Sequence, residues 1–474
     1  MKTISLIGLG TGSENFLTFE AKSALENAQI IFGAKRILEI ATQSSDKTIF
    51  AGKGEAGTNT KIIPETKAFY NARDVLSFLQ ENQQYNNVAV VFSGDVGFFS
   101  GAASFYKIFQ DRVKKADDSY EISDGSSGDW ELRVIPGISS AIHFAAKLQK
   151  SWQNWKLLSL HGAKCNTIEH IRKNPACFFI LSGIEDAETV FQKISTAVKN
   201  GILDSVKCWL GENLSYPDEK ITYCKFIRGE GSSYHFDSTH AKTRKDKGLF
   251  VLLVENEKAR FCPLTPSLSD EDFIRADKIP MTKKEVRRLS ISSLSLSESS
   301  VLYDIGSGTG SITVEAARIV TEGQVFAVEC KEDAFELTKK NVERFCLENV
   351  TVILGKAPEC LRNESYSEAD SVIPAPTHVF IGGSRGNLSE IVSFVLQKNP
   401  RARIVANFVS LENLCEMQAI LKNLESENKI EGVEIIQVGI SQTEKTGGFH
   451  LMKAQNPVYI ISFSGNTGTA ATQS

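Results

Sequence analysis

Residues Val301–Gly310, Val-Leu-Tyr-Asp-Ile-Gly-Ser-Gly-Thr-Gly, restrict the fold more than any other stretch of the chain. Val301 to Ile305 reads as a buried strand and the glycines as a turn. Ser311 to Val320 reads as a helix, with Ile312, Ala316, Ile319 and Val320 at helical spacing. A strand–turn–helix unit aims backbone N–H groups at the helix N-terminus, and glycine lets a ligand approach the backbone without meeting a Cβ. Nineteen residues beyond Gly310, Gln324–Glu329 reads as a second strand ending in a carboxylate. At the carboxyl edge of a parallel sheet such a group can accept hydrogen bonds from a ribose diol. The unit predicts an open α/β sheet that takes a ribose-containing ligand.

Spacing narrows the ligand. The dinucleotide fingerprint is Gly-x-Gly-x-x-Gly; here the third glycine comes one residue early, and Asp304 stands just before the turn. This arrangement resembles the class I S-adenosylmethionine (SAM) methyltransferases. The resemblance implies cofactor contacts at Asp304, Gly306, Gly308, Gly310 and Glu329.

At 474 residues the chain is too long for one ordinary core. A net charge of −4 gives no electrostatic reason to expect nucleic acid, and no apolar run reaches membrane-helix length. The chain enters a strand-like run at Thr3–Gly8 without a signal-peptide pattern. Nine dispersed cysteines, none in a Cys-x-x-Cys pair, read as reduced thiols of a cytoplasmic protein, and the seven dispersed histidines predict no metal site.

Ile4–Gly12 is another strand running into a Gly-x-Gly-x-Gly turn, followed by a helix from Phe19 to Asn27. The next strand, Ala28–Phe32, ends without a carboxylate, so a ribose clamp of the usual kind is not supported there. Three later stretches, Val88–Ser100 with its Ser-Gly-Asp turn, Leu132–Ser140 with Pro-Gly, and Val206–Glu219, fall in a telling order with the opening turn and Ser159-Leu-His-Gly162. Together they resemble the tetrapyrrole (class III) SAM methyltransferases, in particular the subfamily that methylates C5 of the corrin precursor. That resemblance implies two α/β subdomains over residues 1–255. It implies cofactor contacts at Gly94, Asp95, Ser139, Ser140 and Gly183, and a substrate cleft lined by Gly8, Gly10 and Gly12. The family usually has Pro where Thr11 and Val96 stand and Asp where Ser13 stands. Asp95 also suits an Asx turn. Lys114 to Trp130 reads as a solvated loop.

Residues 256–277 read as a linker, with Asp270-Glu-Asp-Phe as a solvated acidic patch. Thr282 reads as a helix N-cap, with Glu285 completing a capping box. Beyond Glu329, strands at Val350–Leu354, Thr377–Ser384 and Arg403–Val409 alternate with helical segments such as Ala334–Leu347, a doubly wound pattern. Ile-Pro-Met-Thr-Lys, the glycine turn, Phe-Ile-Gly-Gly-Ser and Ala-Asn-Phe-Val-Ser-Leu-Glu together resemble the decarboxylating C15 methyltransferases of the corrin pathway, over residues 278–465, with 466–474 a tail. The resemblance implies adenine contacts at Lys356 and Ala357, where the family usually has Asp at the first position. It also implies substrate positioning by Thr282, Lys283, Gly382, Gly383 and Arg385, with Arg287 a further cation.

Taken together, the two resemblances imply a bifunctional enzyme that methylates a precorrin at C5 and C15 with SAM, releases the C12 acetate carboxyl, and forms homo-oligomers. No catalytic dyad is apparent, which suits methyl transfer governed by alignment and exclusion of water. Two alternatives stay open: a SAM- or tetrapyrrole-sensing regulator with one decayed domain, and a SAM methyltransferase acting on another substrate such as RNA. Neither nucleic acid nor membrane is an expected partner.

Overall fold

In a computed structural model of the chain, the structure describes residues 2–45, 64–110, 130–160, 165–228, 231–232, 249–261, 268–362 and 373–467. His161 and Gly162, nearly all of the loop expected from Lys114, and most of the tail lie outside the described residues.

The N-terminal half builds two sheets. In the first, β1 (Lys2–Gly8), β2 (Ile30–Gly33), β3 (Glu65–Lys67), β4 (Asn87–Phe92) and β5 (Trp130–Ile135) are parallel in the order β3-β2-β4-β1-β5. Leu6 pairs with Val90 on one side and Val134 on the other. Ile4 and Leu6 face the helices Ala72–Glu81 and Ala103–Gln110, while Ile7 faces Phe19–Glu26 and Lys35–Ser45. Burial on both faces is why β1 and β4 read as continuous apolar runs.

The second sheet is mixed, in the order β10-β9-β8-β11-β7-β6. It comprises β6 (Lys156–Ser159), β7 (Ala176–Leu181), β8 (Ser205–Glu212), β9 (Lys220–Ile227), β10 (Gly231–Ser232) and β11 (Phe250–Glu255). Helix Ile184–Lys199 covers one face through Val190, Phe191 and Ile194, and Ser140–Leu148 packs on the other through Phe144.

The C-terminal half is one seven-stranded sheet, ordered β14-β13-β12-β15-β16-β20-β17. Its strands are β12 (Val301–Ile305), β13 (Gln324–Glu329), β14 (Val350–Leu354), β15 (His378–Ile381), β16 (Arg403–Phe408), β17 (Ile430–Val438) and β20 (Val458–Gly465). The first five in the sheet are parallel; β20 is inserted antiparallel to β16, and β17 pairs antiparallel with β20 and so runs with the first five. The chain moves outward from β12 through β13 to β14, then returns to β15 on the other side. Strand order therefore reverses between β12 and β15, and a ligand crevice opens at their carboxyl ends. A separate hairpin of β18 (Ser441–Thr446) and β19 (Phe449–Ala454) stands exposed along its whole length.

Two local expectations are corrected. The helix expected to start after Thr282 starts at Lys284, with Lys283 at the N-cap and no side-chain cap, so the capping box does not form. The cause is Arg287, whose guanidinium takes the Thr282 carbonyl at 2.7 Å and holds that residue outside the helix. The acidic patch is only partly solvated. Glu271 and Asp272 are exposed, but Asp270 accepts from Arg287 Nη1 at 3.0 Å and Phe273 is buried under the same guanidinium. A buried cation demands such a counter-charge.

Candidate active site

The turn after β12 is shaped by close approach. Gly306, Gly308 and Gly310 have φ of 78°, 58° and 74°, a region that disfavours side chains. A Cβ on Gly306 would stand 2.7 Å from the Gly383 nitrogen, and one on Gly308 would stand 2.9 Å from the Pro280 oxygen. Three segments thus meet at backbone distance: the β12 turn, the Gly382–Gly383 turn after β15, and the segment before helix Lys284–Leu294.

Glu329, at the end of β13, is clamped from three sides. Its Oε2 accepts the Gly308 N–H at 3.0 Å, and its Oε1 accepts the N–H groups of Cys330 at 2.9 Å and Lys331 at 3.0 Å. The Cys330 thiol also reaches Oε1, at 3.5 Å, while Oε2 has one partner; of a carboxylate's roughly four lone-pair directions, about one on Oε2 is left for a further hydroxyl. Thr338 donates to the Gly308 carbonyl at 3.0 Å, and Asn341 donates to the Thr309 carbonyl at 2.9 Å, so helix Glu332–Arg344 grips the turn from the side.

A cavity of about 460 Å³ opens over these groups, within the roughly 300–1,000 Å³ usual for small-molecule sites. Gly306, Gly308, Glu329, Gly382 and Gly383 line it, as do Thr282, Lys283 and Arg385 from its rim. Lys356 and Ala357 line a narrower pocket that shares Gly306, Gly383 and Arg385 with the first. Arg385 has no ion-pair partner among the described residues, and Lys283 is half-exposed with Asp270 at 3.8 Å.

Three expected residues stand elsewhere. Asp304 lies behind the turn, 1% exposed, bonded through Oδ2 to the Thr313 hydroxyl; Oδ1 has no partner among the described residues. Burial pushes this carboxyl up to about 7, against the Thr313 hydrogen bond. Gly310 meets Thr338 and serves as the helix N-cap, not as cavity lining. Arg287, read as a cation for substrate, is fully buried; its Nε bonds Glu315 Oε1 at 2.7 Å. It anchors the segment that carries Thr282 and Lys283. A lone Arg seven residues after Pro280 gave no sequence signal of this.

The N-terminal half has its own cavity, about 180 Å³, between its two sheets. Gly94 and Ser140 line it, together with Leu181, Phe98 and Thr11. Asp95 does not: its Oδ1 takes the Gly97 N–H at 2.8 Å and its Oδ2 the Gly137 N–H at 3.1 Å, closing the turn. Ser139 caps helix Ser140–Leu148 through the Ile142 N–H, and Gly183 is the N-cap of helix Ile184–Lys199. Gly8, Gly10 and Gly12 are spent on packing, not on lining the cavity. A Cβ on Gly8 would stand 2.7 Å from Gly137 and Gly94, one on Gly10 3.1 Å from Phe16, and one on Gly12 would overlap the Tyr216 hydroxyl. Beside them lies a charged cluster, built on the buried His143, that sequence reasoning missed. His143 Nε2 meets Glu219 Oε2 at 2.9 Å, and Lys147 meets Glu219 Oε1 at 2.7 Å. Helical spacing places His143 and Lys147 on one face, but nothing local points to Glu219.

Comparison with known proteins gives these two sites a common setting. Residues 3–226 match the tetrapyrrole (corrin/porphyrin) methylases, and residues 272–464 match the precorrin methyltransferase domain. A probable cobalt-precorrin-6B C(15)-methyltransferase (decarboxylating) from Sulfurisphaera tokodaii is 40% identical over 41% of this chain and 96% of its own length. A protein of the same description from Sulfolobus acidocaldarius is 41% identical, again over 41% and 96%. The solved precorrin-6y C5,15-methyltransferase of Geobacter metallireducens GS-15 aligns at 32% identity and a TM-score of 0.37, over 42% of this chain and 96% of that one. Joining a tetrapyrrole-methylase half to a Rossmann-like methyltransferase half, the chain belongs to the precorrin-6B C(15)-methyltransferase (decarboxylating) family.

Proposed function

We propose that the chain is a bifunctional SAM-dependent C-methyltransferase. It methylates a precorrin at C5 and C15 and removes the C12 acetate carboxyl as CO2, in corrin ring biosynthesis. The observation that carries this reading is the pairing in one chain of two methyltransferase domains, matched over 3–226 and 272–464, each with its own cavity. The proposal assigns C5 methylation to residues 1–255 and C15 methylation to 278–465, joined by a linker over 256–277. A cytoplasmic homo-oligomer is part of the same reading, and light scattering on the purified chain tests its oligomeric state.

SAM, when bound, supplies a methyl group on a sulfonium sulfur for in-line transfer to an electron-rich carbon. The C-terminal residues fit it: the turn excludes side chains, so a ligand meets backbone, and Glu329 keeps an acceptor direction for a ribose hydroxyl. Lys356 and Ala357 border the narrower pocket and suit an adenine. In the N-terminal domain, Gly94 and Ser140 offer polar contacts beside apolar Phe98 and Leu181. The chain's own work is alignment and exclusion of water. Arg385 and Lys283 supply cations for a substrate rich in carboxylates, while Thr282, Gly382 and Gly383 shape its approach. Asp304 acts from behind, holding the first turn of the helix through Thr313.

Calorimetric titration tests the cofactor assignment. Two SAM sites per chain are expected, one of them abolished by Glu329→Ala. A single site that survives Glu329→Ala overturns the C-terminal assignment.

A further inference from the structure

Two helices hold the C-terminal glycine turn, and both run away from it into the N-terminal domain. Helix Ser311–Ile319 begins at the turn itself. Helix Glu332–Arg344 carries Thr338 and Asn341, which bond the carbonyls of Gly308 and Thr309. A helix leaves its last carbonyls without partners in its own body. In both helices, side chains of the N-terminal domain take one or two of them.

At the end of the first helix, Asn166 Nδ2 donates to the Ala317 carbonyl at 3.1 Å, and Lys173 Nζ donates to the Arg318 carbonyl at 2.6 Å. An ammonium there also complements the negative end of the helix dipole. Arg318 is gripped in turn: its Nε meets Glu169 Oε1 at 2.9 Å, and Arg172 Nε closes on both oxygens of Glu169 at 2.9 Å. Glu169 is 1% exposed, so it depends on those two cations. At the end of the second helix, Asn200 Nδ2 donates to the Arg344 carbonyl at 2.8 Å. Between the two ends, Thr167 N–H bonds Glu348 Oε2 at 2.8 Å, and Asn166 bonds Asn349 Oδ1 at 3.0 Å. Asn349 itself donates to the Ala317 carbonyl at 3.0 Å.

The geometry points to a positioning role for the N-terminal domain in the C-terminal reaction: Asn166, Lys173 and Asn200 cap the two helices that hold the Gly306–Gly310 turn, and so set its register against Glu329. A nine-residue helix is a rod of roughly 14 Å, and its hydrogen-bonded ladder transmits a shift at one end to the other. The inference goes beyond the proposed cofactor assignment, although its effect on SAM rests on that reading.

The test uses the full chain and needs no ligand at its first stage. Backbone hydrogen exchange of the 306–310 segment is compared in wild type, Lys173→Met, Asn200→Ala and Lys173→Arg. Lys173 is half-buried and Asn200 exposed, so folding is not at stake at either position. Exchange about five- to tenfold faster in the first two variants, near the low end of typical inter-site coupling, is the expected result. Wild-type exchange in Lys173→Arg completes it, because that variant keeps a cationic donor. Wild-type protection of the turn in both Lys173→Met and Asn200→Ala overturns the inference. A second stage titrates SAM: the site removed by Glu329→Ala is expected to weaken about five- to tenfold while the other is unmoved. Faster exchange in a chain that binds no SAM at all upholds the positioning role and discards the cofactor reading instead.

Discussion

Gly308 donates its N–H to Glu329 Oε2 at 3.0 Å, tying the turn after β12 to the end of β13. One carboxylate therefore both shapes the turn and faces the cavity. Glu329→Ala removes the acceptor for three backbone N–H groups. SAM binding at the C-terminal site is expected to be lost, given that each hydrogen bond to a charged group contributes about 1.5–3 kcal/mol. Gly308→Ala is expected to do the same by another route, since its Cβ would press on the Pro280 carbonyl at 2.9 Å. Calorimetry on both variants checks this; wild-type affinity in Glu329→Ala contradicts it.

Arg287 is fully buried against Glu315 and Asp270, with the carbonyls of Thr282 and Leu268 completing its shell. Arg287→Met leaves Glu315 buried without its partner and is expected to cost about 3–5 kcal/mol. The double variant Arg287→Met, Glu315→Gln should recover much of the loss. Denaturant unfolding of the three proteins measures this, and additive losses would refute the pairing.

Asp304 has a folded-state pKa raised to about 7, with burial the main cause. The native state therefore holds a proton that the unfolded chain releases near its ordinary value of 3.8. Stability is expected to fall as pH rises through the window from about 4 to about 7, by on the order of 4 kcal/mol at most. Asp304→Asn keeps an acceptor for Thr313 and should flatten this slope. Identical pH profiles of wild type and variant would count against the assignment.

Thr11 lines the N-terminal cavity with a buried hydroxyl that has no partner among the described residues. Thr11→Val has nearly the same shape and removes an unsatisfied group, so the free protein is expected to gain about 1 kcal/mol. If the hydroxyl serves a bound ligand, affinity at the N-terminal site falls in the same variant. Thermal melts with and without SAM separate the two effects; lower stability in the free variant is the contrary result.

Much of the architecture is legible locally. β12, the glycine turn and β13 are read from apolar runs, glycine spacing and a terminal carboxylate, and these lie where a parallel sheet opens. Legibility ends where a residue's role is set by distant partners. Thr282 suits an N-cap by its neighbours alone, yet Arg287 claims its carbonyl. Arg287 reads as a surface cation until Asp270, Glu315 and Phe273 converge on it. Gly8, Gly10 and Gly12 signal close approach, and in the folded chain Gly137, Phe16 and Tyr216 are the groups that come near, partners that local pattern does not name. The caps at Asn166, Lys173 and Asn200 join residues about 140 to 150 apart and leave no trace in local pattern.

The most direct test of the bifunctional assignment is mass spectrometry of precorrin-6B, with and without cobalt, after incubation with SAM and the full chain. Wild type is expected to add two methyl groups and release CO2. Glu329→Ala should retain one methylation without CO2 release, and Gly94→Val, which fills the N-terminal cavity, should retain the other methylation together with CO2 release. A chain that binds SAM at both sites yet leaves precorrin-6B unchanged with and without cobalt would contradict the account.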